Sequence, residues 1–166
     1  MAIYKTQKMN KKTKQLILYL IKNHPKSSIT SLMKLAYLTD LISVKRSKKQ
    51  ISSFNYKRYH YGPFDKQIYS YVENLTDNGF VFSENDYGAT GEEFSIFSIV
   101  PEKRKDLDFS KLNASEVAIV DELLNSVRGY GARVLTEIAY KTKPMKKLKA
   151  TIGGSEHLGK ELDLES

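Results

Sequence analysis

The stretch SFNYKRYHYGPFDKQIYSYVENL, residues 53–75, gathers residue types from which sites are built. Arg58 and His60 stand just before Tyr61-Gly62-Pro63-Phe64, and Asp65, Glu73 and Asp77 follow. These types suit three kinds of chemistry: catalysis around the histidine and carboxylates, stacking of nucleic-acid bases on tyrosines, or a structural corner that presents a surface to another protein.

Catalysis has the least support. His24, His60 and His157 lie far apart, with no HExxH and no paired metal-ligand spacing around them. Asp65, Glu73 and Asp77 could hold Mg²⁺, but ordinary acids on a helix surface explain them better. A GxSxG elbow, a P-loop and a GxGxxG fingerprint are all missing, and GATGEE at residues 88–93 reads as a hairpin turn rather than a phosphate cradle. The expectation is a non-enzyme with no cofactor and no metal.

At 166 residues the chain has the size of one domain, and 40% hydrophobic content sets it apart from disordered sequences. It contains no cysteine, which excludes disulfides, thiolate metal sites and cysteine nucleophiles and fits a cytoplasmic protein. The apolar run LILYLI, residues 16–21, is shorter than a signal h-region, and no other segment approaches the roughly 20 apolar residues of a membrane span. No membrane partner is expected. The net charge of +8 conceals a division: residues 1–60 hold 14 Lys and Arg against the single acid Asp40, whereas residues 61–140 hold 7 against 14 acids. Such a bipolar chain suits phosphate, an acidic protein or self-association into a homo-oligomer.

The elements that would position these residues follow from periodicity. A first helix is expected from about Lys12 to Asn23, ended by Pro25. Ser27 or Ser28 then caps a central helix with Ile29, Leu32, Met33 and Ala36 on its apolar stripe. Asp40 falls inside that apolar stretch and needs a donor or cation, for which Arg58 or a nearby tyrosine hydroxyl is the candidate. SVKRSKKQISS, residues 43–53, reads as a basic turn, and FNYKRY then alternates Phe54, Tyr56 and Arg58 against Asn55, Lys57 and Tyr59 like a strand. Gly62-Pro63 breaks it, and a helix from Phe64 to about Asn78 is closed by Gly79. FVFS and EFSIFSIV flank ENDYGATGE as a β-hairpin, and helices capped by Asn113 or Ser115 and formed by ARVLTEIAY follow. The fold class is α+β, mainly helical: a single domain over residues 1–150 with winged-helix-like helices, a β-hairpin and C-terminal helices. The glycines of residues 151–166 point to a flexible, unpacked tail.

Two blocks, LMKLAYLTDL and FNYKRYHYGPFDKQIY, resemble the SocA-like antitoxins, or Panacea-domain family, found in many phage-associated proteins. The first is similar to the family's K-L-x-Y-x-x-D pattern through Lys34, Leu35, Tyr37 and Asp40, and the second to its aromatic Y-G-P stretch through Tyr61, Gly62, Pro63, Phe64, Ile68 and Tyr69. The resemblance implies the antitoxin of a toxin–antitoxin system, a largely helical domain that binds and neutralises a protein toxin encoded beside it. Some members act instead as adaptors that deliver a toxin to a protease. Tyrosine and arginine combine contact area with polar ends, so Tyr56, Arg58, Tyr59, Tyr61 and Phe64 are the candidate contacts with a cognate toxin. The alternative is a winged-helix-like DNA-binding regulator, an autorepressor of its own operon. Its expected recognition helix carries Asp65, Glu73 and Asp77 against Lys66, and its wing Glu84, Asp86, Glu92 and Glu93, so DNA would have to meet the basic first helix or residues 45–58.

Overall fold

A computed structural model describes residues 9–166. Lys5 and Lys8 of the basic first third, and the start of the expected domain, lie outside the described residues. Helix α1, Lys11–Asn23, begins where the Asn10 side chain accepts the Thr13 N–H at 2.9 Å and stops at His24, ahead of Pro25. It turns Leu16, Ile17, Leu20 and Ile21 inward, as its spacing predicts. Helix α2, Ile29–Ser47, starts from a reciprocal Ser28–Ser31 capping box. It is buried on all sides from Ser31 to Asp40 because it packs against α1 and against several of the elements that follow. The helix runs further than the sequence suggests. Half of the basic segment expected to be a turn forms its last turns, where Lys45 and Arg46 meet the negative end of the helix dipole, and Lys48 ends it at φ 62°.

Strands β1, Lys57–Tyr59, and β2, Gly62–Phe64, form a small antiparallel ribbon with Arg58 opposite Pro63. Gly62-Pro63, expected to end the strand and open a helix, instead makes the second strand. Proline is tolerated there because Arg58 gives its backbone N–H to Lys160 O at 2.8 Å, away from Pro63, so this pair needs no donor from the proline. Helix α3 accordingly begins later than Phe64, spanning Ile68–Asp77, after a turn in which Asp65 Oδ1 accepts the Gln67 N–H. Gly79, at φ 79°, lets the chain reverse out of α3.

Strands β3, Val81–Tyr87, and β4, Glu93–Ile99, form the expected hairpin, and a single bridge from Ser27 to Phe97 ties it to the junction of α1 and α2. A 3₁₀ helix, Pro101–Asp106, leads to α4, Ala114–Ser126, which is capped by Asn113 with Glu116. Helices α5, Ala132–Tyr140, and α6, Lys143–Lys147, complete the α+β, mainly helical fold. Five residues are too few for a periodicity to announce α6, which starts with Pro144 in its first turn.

Residues 151–166, expected to form a flexible tail, make backbone hydrogen bonds to the strand while most of their side chains stay exposed: Gly159 donates to Arg58 O at 2.7 Å, Leu162 to Tyr56 O at 3.0 Å and Gly153 to His60 O at 2.7 Å. Gly153 and Gly159 turn the segment, with φ of 78° and 81°. Leu162 is buried in the core. Truncation after Ala150 should lower the melting temperature by about 5 °C or more in a thermal scan; an unchanged midpoint would show that the segment adds nothing to stability.

Candidate functional site

The Tyr61-Gly62-Pro63-Phe64 corner is assembled from beneath. Gly62 has φ 106°, and a Cβ there would lie 3.3 Å from Lys34 Cε and 3.4 Å from the Tyr140 ring, so both conformation and space call for glycine. The Lys34 ammonium, buried under the corner, donates to Pro63 O at 3.2 Å. Burial lowers its pKa from 10.5 to about 8. Tyr140 donates its hydroxyl to His60 O at 2.9 Å and offers its ring face to Arg58, whose guanidinium carbon lies 5.6 Å from the ring centroid.

Arg58 points inward and is fully buried. Its guanidinium donates to Tyr59 O, to Thr151 O at 2.8 Å and to Glu156 Oε1 at 3.2 Å. The last two partners come from the C-terminal segment, so that segment supplies the only carboxylate in contact with this cation among the described residues. The Thr151 N–H, foremost, and Arg58 hold the Glu156 carboxyl below its ordinary pKa range.

Asp40 is also fully buried, and of its two proposed partners it takes the tyrosine. Tyr56 donates its hydroxyl at 2.6 Å, the Ser52 hydroxyl donates at 2.5 Å, and the Ile51 and Ser52 N–H groups donate at 2.9 and 3.0 Å. Burial pushes the Asp40 pKa up, and the four donors pull it back. Tyr56 is raised well above its ordinary value, first by burial and then by the Asp40 charge. Tyr37 approaches Thr142 Oγ1 at 2.7 Å; since Thr142 donates to Ala139 O, Tyr37 is the donor of that pair. Its own pKa rises to about 12, through burial.

Of the candidate toxin contacts, Tyr56 and Arg58 are therefore corrected to interior positions: both lie on the buried phase of the alternating stretch that leads into and through β1, and both are held by internal hydrogen bonds. Tyr59 and Tyr61 are 41% and 63% exposed and are the members that reach a surface. Phe64 is half-buried behind them, its ring 5.8 Å from Tyr59 and 6.0 Å from Tyr69. His60 faces the C-terminal segment, with Nδ1 3.1 Å from Gly154 O, and His24 donates from Nε2 to Tyr130 O at 2.9 Å. The sequence did not nominate Tyr140, Thr151 and Glu156; the one available signal was that a buried arginine requires acceptors. Helix α3, at the position of a winged-helix recognition helix, contains no lysine or arginine, and its Glu73 and Asp77 oppose a phosphate contact.

Residues 32–144 match the family model described as Antitoxin SocA-like, Panacea domain. The chain belongs to this family. No curated protein and no solved structure matches it. The part of the Panacea domain that matches runs from within α2 into α6 and contains Lys34, Tyr37, Asp40 and the corner, whereas α1 and the segment that closes over Arg58 lie outside it. No helix among the described residues is long and apolar enough to cross a membrane.

The buried groups make two predictions for the Panacea domain. Asp40→Ala removes the acceptor shared by four donors, two of them backbone N–H groups in the interior, and should destabilise the fold by about 3 kcal/mol or more in urea unfolding. Unchanged stability would mean that the carboxylate is dispensable to the fold. Lys34 keeps its proton in the unfolded chain up to its ordinary pKa of 10.5 but loses it near pH 8 when folded. Between those limits the unfolded state binds more protons, so stability rises with pH. Unfolding of the unmodified protein and of Lys34→Met from pH 7 to 10 should show the former gaining on the latter by on the order of 2 kcal/mol; parallel curves would overturn this.

Proposed function

We propose that this Panacea domain is an antitoxin that neutralises a protein toxin encoded beside it by direct, non-catalytic binding. The observation that carries the proposal is the match of residues 32–144 to an antitoxin family. It is supported by the way the motif side chains are used: Lys34 bonds Pro63, Tyr37 bonds Thr142, and Asp40 gathers Ile51, Ser52 and Tyr56. These groups hold a scaffold together. What the scaffold displays is aromatic, with Tyr59 and Tyr61 at the surface and Phe64 behind them, a composition suited to an interface centre.

The test is growth of cells expressing the neighbouring open reading frame with and without this protein, followed by copurification and calorimetry. Toxicity relieved by co-expression, together with a stoichiometric complex, is expected. The double substitution Tyr59→Ala/Tyr61→Ala should leave the melting temperature unchanged and weaken the complex by about 2 kcal/mol or more, roughly 30-fold in Kd. A folded double variant with unchanged Kd would remove this surface from the interface.

A further inference from the structure

The β3–β4 hairpin leaves one edge unfinished. Gly88 donates to Glu92 O and Val100 to Phe80 O, which fixes the phase of residues that exchange hydrogen bonds across the hairpin. Phe97 is on the other phase and sends its N–H outward to Ser27 O at 2.8 Å. The backbone of an antiparallel strand alternates sides, so Ser95 and Glu93 turn their N–H and C=O groups to the same outer edge. The Ser27 strand cannot follow them, because the chain is capped at Ser28 and turns into α2 after one bridge. Among the described residues no backbone partner meets Ser95 or Glu93 on that side.

This edge borders a groove of about 1070 Å³ between the hairpin, α3 and the first residues of α2 and α5. Ile29, Val72, Phe94, Phe97 and Ala132 give it apolar walls. Between residues 84 and 93 the hairpin carries Glu84, Asp86, Glu92 and Glu93 and no basic residue. We propose that the outer edge of β4 at Glu93 and Ser95 takes an extended, basic segment of the partner protein as an added strand, its apolar side chains in the groove and its lysines or arginines against the hairpin acids. Charge selects this occupant. A second copy paired edge to edge would bring the acids of two hairpins together, and nucleic acid would bring phosphate to the same acids.

The inference rests on the antitoxin reading, and the test separates the two. In the complex of the full chain with the toxin encoded beside it, the amides of Ser95 and Glu93 should exchange about tenfold more slowly or better than in the free protein. Ser95→Pro removes an outward N–H without breaking the hairpin and should weaken the complex about tenfold or more. Ser83→Pro makes the same change on the outer edge of β3, away from the groove, and should leave Kd unchanged. Should Ser95→Pro misfold, Glu92→Lys/Glu93→Lys keeps the strand intact and should weaken binding by a similar factor through charge alone. A stable complex with unprotected Ser95 and Glu93 amides, or with Kd unaffected by Ser95→Pro, overturns strand addition while the antitoxin function stands. Protection of these amides by raising the concentration of the protein alone, or by duplex DNA, overturns the choice of occupant. Failure to form any complex overturns the antitoxin reading and this inference with it.

Discussion

A carboxylate shut away from water needs donors supplied by the protein, and the Asp40 carboxylate sets the path of the chain after α2. Two of its donors are backbone N–H groups, so Ile51 and Ser52 have to pass directly over the helix. The Tyr56 hydroxyl then brings the entrance of β1 down to the same point, with the Tyr56 ring edge-on to Tyr37 at a centroid separation of 5.3 Å. Once Tyr56 is inside, the two-residue period of a strand sends Arg58 inside and Tyr59 out. The aromatic surface at the corner is thus a geometric consequence of an acid buried on the central helix.

Much of this was legible in the residues. Asp40 amid leucines announced its need for a partner, and the alternation of Phe54, Tyr56 and Arg58 against Asn55, Lys57 and Tyr59 is the alternation of burial found from Phe54 through β1. Backbone donors leave no trace in a sequence, so Ile51 and Ser52 could not be foreseen as ligands of Asp40. Arg58 was harder still. Burial of a guanidinium depends on acceptors, and Thr151 and Glu156 lie more than ninety residues downstream in a stretch whose composition reads as loose. The corner misled for a local reason: glycine followed by proline commonly opens a helix, but here Gly62 makes room for Lys34 and the reversal becomes a strand pair.

The two cations beneath the corner are treated differently. Arg58 has two carbonyls, a carboxylate and an aromatic face; Lys34 has one carbonyl, and its burial lowers its pKa. Lys34, Tyr37 and Asp40 lie within one stretch of α2 and bond to the corner, to the junction of α5 and α6 and to the loop before β1 respectively. One helix therefore acts as the hub to which the irregular parts of a small domain are fastened. This leaves the tyrosines of the corner and the hairpin edge outside the packing problem, so their side chains can differ without disturbing the core.

The closure of residues 151–162 over β1 also bears on the order in which the molecule matures. During synthesis the helices and the hairpin emerge first, and the contacts they make are available to them at once. Arg58 is made early, yet its carbonyl and carboxylate partners from the C-terminal segment arrive almost a hundred residues later. Throughout that interval the guanidinium relies on water for what Thr151 and Glu156 finally provide. The final hydrogen bonding of Arg58 beneath the aromatic corner therefore has to wait for residues 151–156.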